Sequence, residues 1–451
     1  MPERNSAEVD TVIVGFGPAG IAFTCAVSDW IEETGQNPFG KVLCLEKAEA
    51  CSWHGEFLLR NTDINHHVFR DLVTPRNPRS RFSFAMYLKS RQRLYKFGLL
   101  GRPPSRHEWS DYMAWVASQL SEYVSYAEPV LSLAPVVEKG EVVGIDVTTE
   151  KGGYVAKSVV LSSGSWPKIP DLFTPHLGRK VFHTSVYLSH VQAFGNELPK
   201  RWLVLGSGQS AGESALDLLG RGGDVVVESV HRSAGFRIGQ LGQFPNLAFL
   251  PEQVDYFHGL DHDGRTRLFA EIRATNYSGV DIDDSRALYS QIYEDSIEGK
   301  ERLRMSPFSV VESVSAAGEA YDVVLRDLFT GRRKAVVVDA IVLGTGYEQP
   351  RVPPLLADFL PWLELDEDGS VTVDRDYRIV LKGSPRVAIF ANGQSERAHG
   401  ISDAQSFSLV AVRAERILAS LLEGRSADAL TADARAADAP ATGERLLEAS
   451  R

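Results

Sequence analysis

The sequence predicts an α/β chain built from two Rossmann-like units, and three observations predict it. A β-branched run, VDTVIVG, passes directly into Gly15-Phe16-Gly17-Pro18-Ala19-Gly20 and then into an apolar, helix-compatible stretch over residues 21–30. The same order of strand, Gly-rich turn and helix recurs where Trp202-Leu-Val-Leu runs into Gly206-Ser207-Gly208-Gln209-Ser210-Ala211-Gly212. Two later apolar runs, residues 159–164 and 340–346, end in small residues and read as strands returning to the first sheet. A lone GxGxxG is a weak signal, but the strand-to-helix context makes it a dinucleotide-binding fingerprint.

Each element has its own reason. Gly15 permits the tight turn, Gly17 lets the backbone approach a pyrophosphate, and Gly20 allows close helix–strand packing, with Pro18 and Ala19 opening the helix whose free N–H groups face the anion. The next strand, Lys41-Val-Leu-Cys-Leu, ends in Glu46-Lys47, where a carboxylate can accept from both ribose hydroxyls of an adenosine. That acid comes later than the usual interval of about 20 residues, and the polar segment 31–40 accounts for the insertion. In the second loop Gly206, Gly208, Gln209 and Ser210 take the corresponding places, so two dinucleotides are implied. After Asp224-Val-Val-Val-Glu228-Ser-Val come His231-Arg232-Ser233, and Arg237 lies just beyond. Arg232 suits the 2′-phosphate of NADPH, whereas Glu228 keeps NAD open.

Asp339 and the run through Gly346-Tyr347 are similar to the ATGY-type signature of two-dinucleotide flavoproteins. The first domain is therefore expected to be discontinuous, over residues 1–175 and 336–425, around a second domain at 176–335 that carries inserted substrate-binding helices. Residues 426–451, rich in Ala, Asp, Arg and Glu, read as a frayed helix or a flexible tail.

Composition narrows the classes. The chain has 451 residues, with 48 Lys+Arg against 59 Asp+Glu for a formal charge of −11; 43% are apolar and 24% charged. Disorder is excluded for the bulk of the chain, and no run approaches the roughly 18 apolar residues of a membrane span. A net negative charge repels a phosphate backbone on average, so neither nucleic acid nor membrane is an expected partner. Three cysteines, Cys25, Cys44 and Cys51, form neither a CxxC nor a CxxxxC pair, which argues against a disulfide framework or a thiol redox centre. The polar N-terminus has no signal-peptide core, and a cytoplasmic location is expected.

From residue 9 to 422 the chain resembles the flavin-dependent N-hydroxylating monooxygenases that act on the side-chain amine of L-ornithine or L-lysine. The resemblance rests on Trp53-His54 with Phe57-Leu58-Leu59, on Asp71-Leu72-Val73-Thr74-Pro75-Arg76-Asn77-Pro78-Arg79-Ser80, and on Arg106 with Glu108 and Asp111-Tyr112. It continues through Thr275-Asn276-Tyr277-Ser278 and His399-Gly400-Ile401-Ser402-Asp403. Residues 181–187 lack the FxGxxxHxxx(W/P) motif of the Baeyer–Villiger and flavin-containing monooxygenases, which demotes ketone or sulfide oxygenation. The resemblance implies one Rossmann-like dinucleotide-binding domain for FAD and one for NADPH, a small substrate-binding region, a primary amine and O2 as substrates, and a homo-oligomer, often a tetramer. NADPH then reduces FAD, O2 reacts at the flavin, and one oxygen passes to an unprotonated amine.

The same resemblance assigns residues. Trp53, His54, Asn65 and Arg106 fall near the flavin, with Gly346, Ser402 and Asp403 also on the cofactor side and Tyr277 beside it. Asn246 looks like a contact for the α-amino or carboxylate group, and Asn276 like the amide bridging amine and NADP+; Asn276 and Ser402 are the expected catalytic residues. Asn276 is also compatible with a plain helix cap or turn. Arg70 stands where the family commonly has a carboxylate-pairing Lys, and its fork reaches differently. His66-His67 replace small or apolar residues, and no second ligand pair supports a metal there. Residues 237–244 depart from the family's acidic loop. Two alternatives follow: an aliphatic diamine such as putrescine or cadaverine, or another primary amine, as substrate, or an NADPH oxidase that no longer oxygenates.

Overall fold

The computed structural model describes residues 7–240, 242–383, 385–404 and 406–437, without the side chains of residues 403–404 and 425–437. Strand β1 (Ala7–Val14) is followed by β2 (Val42–Leu45), β3 (Val124–Ser125), β4 (Val130–Glu138), β5 (Glu141–Thr149) and β6 (Gly153–Leu161). They lie in the order β3-β2-β1-β6-β5-β4. The β1 to β3 ladder and the β1·β6 pair are parallel, and β5 runs antiparallel to β4 and β6. Val12 and Ile13 are fully buried on opposite sides of β1, as a strand covered on both faces requires.

The chain leaves this sheet through β7 (Trp166–Pro167) and builds a second one from β8 (Val181–His183), β9 (Arg201–Leu205), β10 (Val226–Val230) and β11 (Leu303–Ser306). An antiparallel three-stranded sheet, β12 (Ser309–Ala317), β13 (Ala320–Asp327) and β14 (Arg333–Val338), follows. Strand β15 (Ala340–Leu343) then inserts between β9 and β8 of the second sheet, parallel to both. This corrects the expectation that residues 340–346 return to the first sheet. The return is made later, by β17 (Ala388–Ala391), which pairs in parallel with the second half of β6. Between them, β16 (Tyr347–Glu348) pairs antiparallel with β7, so the two crossings between the units run side by side. The crossing therefore lies after Leu343 and not at residue 336.

The helix Pro18–Thr34 packs over the first sheet and against the helix Val410–Ala437, which carries the chain into the segment read as a tail. Below it, Trp109, Tyr112, Phe84 and Tyr87 form a buried aromatic cluster with ring centroids 5.0 to 5.6 Å apart. The close approach expected at Gly20 is real: a Cβ there would stand 2.2 Å from the Gly15 carbonyl oxygen. Gly15 itself sits at φ +95°, open to glycine at little cost.

Candidate active site

Both Gly-rich loops end as helix N-termini with no side-chain cap, Gly17 before Pro18–Thr34 and Gly208 before Gln209–Arg221, leaving N–H donors for an anion. The first opens into a cavity of about 770 Å³. Gly15, Gly17, Pro18, Ala19, Glu46 and Lys47 line one end, and no atom would stand within 4 Å of a Cβ on Gly17. Glu46 accepts from the N–H of Phe16 (2.7 Å) and Ala48 (2.8 Å), which fixes its carboxylate at the strand end. These residues fit the adenosine and pyrophosphate of FAD.

Midway, Trp53, His54, Asn65 and His66 form the wall. Trp53 and Phe407 meet edge to face at 5.6 Å, and His66 stacks on Phe407 at 5.6 Å. Burial, with the Arg106 charge nearby, lowers His54 to about 4; burial likewise lowers His66 to about 4, so both rings are neutral at pH 7. His54 lines both this cavity and a neighbouring one. Among the described residues no group of three or more His, Cys, Asp or Glu could hold a metal.

At the far end Arg70, Asn246 and Asn276 share the same cavity. Arg70 donates from Nη1 to Ser408 Oγ (3.1 Å) and lies 5.8 Å over the Phe249 ring. Asn246 donates from Nδ2 to the Gly242 carbonyl (2.9 Å). Asn276 ends the 3₁₀ turn Arg273–Thr275, its backbone N–H donating to the Arg273 carbonyl. Tyr277, beside it, donates its hydroxyl to Glu396 Oε1 (2.5 Å) on the first domain.

The second Gly-rich loop faces a smaller cavity of about 500 Å³, lined by Gln209, Ser210, Thr184, Ser185 and Tyr347. Gly206 and Gly208 shape this loop from outside either cavity. Glu228 is buried and accepts from Lys334 Nζ (2.7 Å) and from Ser306, so it is occupied within the sheet and does not reach the strand end. His231, buried with both ring nitrogens unpartnered, and exposed Arg232 stand there instead. This removes the acid that had kept NAD open and fits a 2′-phosphate.

Other assignments change. Ser402 is buried and lines neither cavity; Ser406, Phe407 and Ser408 form the wall that its motif leads into. Ser402 sits on the short helix Ile401–Ala404. Asp403's side chain lies outside the described residues. Gly346 precedes Tyr347, which lines the second cavity, and its carbonyl is within 2.9 Å of both Lys168 N and His183 Nε2. Arg106 lines both cavities, yet its fork holds Glu213. Phe249, Phe407 and Ser408 were not singled out from sequence, since apolar and serine residues outside long regular elements carry no spacing signal, and neither was Glu213, a glutamate within the helix Gln209–Arg221.

The family model described as L-lysine 6-monooxygenase/L-ornithine 5-monooxygenase matches residues 7–349. An L-ornithine N(5)-monooxygenase of Pseudomonas aeruginosa is 33% identical over 92% of this chain and 94% of its own. The crystal structure of an L-lysine 6-monooxygenase from Pseudomonas syringae is 52% identical, covering 92% of this chain and 99% of that one with a TM-score of 0.85. An ornithine N-hydroxylase from Kutzneria sp. 744, solved with reduced FAD, NADP+ and L-ornithine, is 30% identical at TM-score 0.85, covering 93% and 100%.

Proposed function

Because the chain belongs to the L-lysine 6-monooxygenase/L-ornithine 5-monooxygenase family, we propose that it hydroxylates the side-chain primary amine of L-ornithine or L-lysine. It is a flavin-dependent N-hydroxylating monooxygenase that uses FAD and NADPH. The observation that carries the substrate reading is that one cavity joins the FAD-binding loop to Arg70, Asn246 and Asn276.

The reduced flavin and O2 supply the oxygen atom when the cofactors are bound, and the chain supplies the rest. Arg70 and Asn246 hold the amino-acid end, with Arg70 offering donors not used on Ser408 to a carboxylate. Trp53, neutral His66 and Phe407 give the wall low polarity, which disfavours the ammonium form and delivers a nucleophilic amine. Asn276 positions that amine from the turn it ends. The aromatic wall also excludes water from the reacting atoms.

The test measures hydroxylamine formed and peroxide released per NADPH for ornithine, lysine, putrescine and cadaverine. Tight coupling to an amino acid supports this reading, and the 52% identical lysine enzyme makes lysine the arm to run beside ornithine. Coupling only to a diamine replaces it, and peroxide with every amine leaves an oxidase. Arg70→Ala should cost an amino acid about 1.5–3 kcal/mol in kcat/KM and leave a diamine untouched.

We infer a homo-oligomer as well. From Leu72 to His107 there are nine basic residues, Arg76, Arg79, Arg81, Lys89, Arg91, Arg93, Lys96, Arg102 and Arg106, and no acid. The remainder then carries 39 Lys+Arg against 59 Asp+Glu, or −20. On that basic segment Tyr95 is 90% and Leu99 89% exposed, an apolar tip suited to the acidic surface of a second copy. No helix among the described residues is long and apolar enough to cross a membrane, and a cytoplasmic location remains part of this proposal.

A further inference from the structure

The two cavities meet at a shared wall made by Ser52, His54, Arg106 and Gln209. Hydride passes from a nicotinamide to a flavin only when the two reacting atoms are in direct contact, so a wall shared by the two cavities bears on how the dinucleotides approach each other. The wall is built from both units: Ser52, His54 and Arg106 come from the chain before β7, and Gln209 opens the helix of the second Gly-rich loop. One turn along that helix, Glu213 accepts from Arg106 Nη1 (2.6 Å) and Nη2 (2.7 Å), a bidentate pair spanning 107 residues of sequence. Arg106 Nε donates to the Asp63 carbonyl (3.1 Å), and Gln209 Nε2 donates to Glu213 Oε1 (2.7 Å). Arg106 is 8% and Glu213 3% exposed, so the pair is desolvated and loss of one partner strands a buried charge.

We propose that Glu213 is a positioning residue for transfer of reducing equivalents from NADPH to FAD, holding Arg106 in the shared wall and fixing the orientation of the two dinucleotide units. It touches neither cavity, and acts through Arg106 and Gln209. A planar guanidinium held by two parallel hydrogen bonds admits one relative placement of its partners, which a single contact would not. A displacement of about 1 Å at this wall is enough to cost on the order of a hundredfold in rate. This inference rests on the reading that the enzyme uses both dinucleotides, but not on which amine it takes.

The test uses FAD-loaded Glu213→Gln and Glu213→Ala beside the parent. The Gln variant keeps a carbonyl for Arg106 and protects against a loss of folding in the Ala variant. Anaerobic flavin bleaching by NADPH should slow by about tenfold or more in either variant, with FAD content retained and reoxidation by O2 unchanged. Hydrogen exchange of the cofactor-free protein should rise in the helices Arg106–Gln119 and Gln209–Arg221, a readout independent of turnover. Bleaching within about twofold of the parent, with the fold intact, would overturn the proposal. Equal slowing of both half-reactions would do so too, since that marks general destabilisation. If the parent itself is bleached by NADPH but hydroxylates no amine, the substrate reading fails while this inference stands.

Discussion

Asn276 shows what a single side chain can and cannot be asked to do. It faces the cavity from the C-terminal end of a one-turn 3₁₀ helix at an exposed position, so replacing it should leave the fold largely intact. Asn276→Ala is expected to raise peroxide released per NADPH with little change in melting temperature; unchanged coupling would remove Asn276 from the site. Asp284 offers a test of charge. Burial, then Glu213 and Asp281, raise its pKa to about 7, and Gln209 Nε2 donates to it at 2.5 Å. A carboxyl whose folded pKa is raised contributes stability that is present below its unfolded value and lost as pH rises through about 7. Asp284→Asn should therefore melt higher than the parent above neutral pH, with the gap closing in acid. At this scale the sequence was informative where chemistry fixes a residue type, as at Gly15, Gly20 and Glu46. It was silent on Glu213, because a glutamate inside a helix looks the same whether it meets water or an arginine 107 positions away.

Elements decide how those side chains arrive. The loop after β10 is held by the segment that follows Asn276: Ile238 bridges Val280 in parallel, and Gly239 N donates to the Val280 carbonyl (2.9 Å). The crossing is tight, since a Cβ on Gly279 would stand 2.6 Å from Gly239 Cα and 2.8 Å from its nitrogen. Gly279→Ala should force the loop away from the segment that carries Asn276. Hydroxylamine yield should fall with flavin reduction less affected, and an unchanged yield would show that this bridge does not position the site. The misplaced strand belongs to this scale too. Residues 340–343 and 388–391 are both short apolar runs that end in small residues, and either completes a parallel sheet. Only the pairing partners tell them apart, and these are 138 residues distant in the case of β15 and β9.

The whole molecule is held as two units tied at several points around the cavities. Besides Arg106 and Glu213, Asp255 on the helix Pro251–His258 takes bidentate bonds from both Arg375 (2.9 and 3.1 Å) and Arg416 (2.8 and 3.0 Å), and Tyr277 reaches Glu396. Self-association is the property that belongs here. Leu99→Asp, at a nearly fully exposed position, should lower the mass measured by light scattering while the monomer keeps its melting temperature. A mass equal to the parent's oligomer would place the interface elsewhere. The sequence by itself determined the two dinucleotide folds, the FAD loop and the family, because these depend on local spacing and on residue types that phosphate and ribose demand. Tertiary structure alone decided which strand rejoins which sheet, that Glu228 is occupied by Lys334, that Ser402 is buried, and that Glu213 clasps Arg106. Each of those is a contact between distant segments, set by packing and desolvation that no local pattern records.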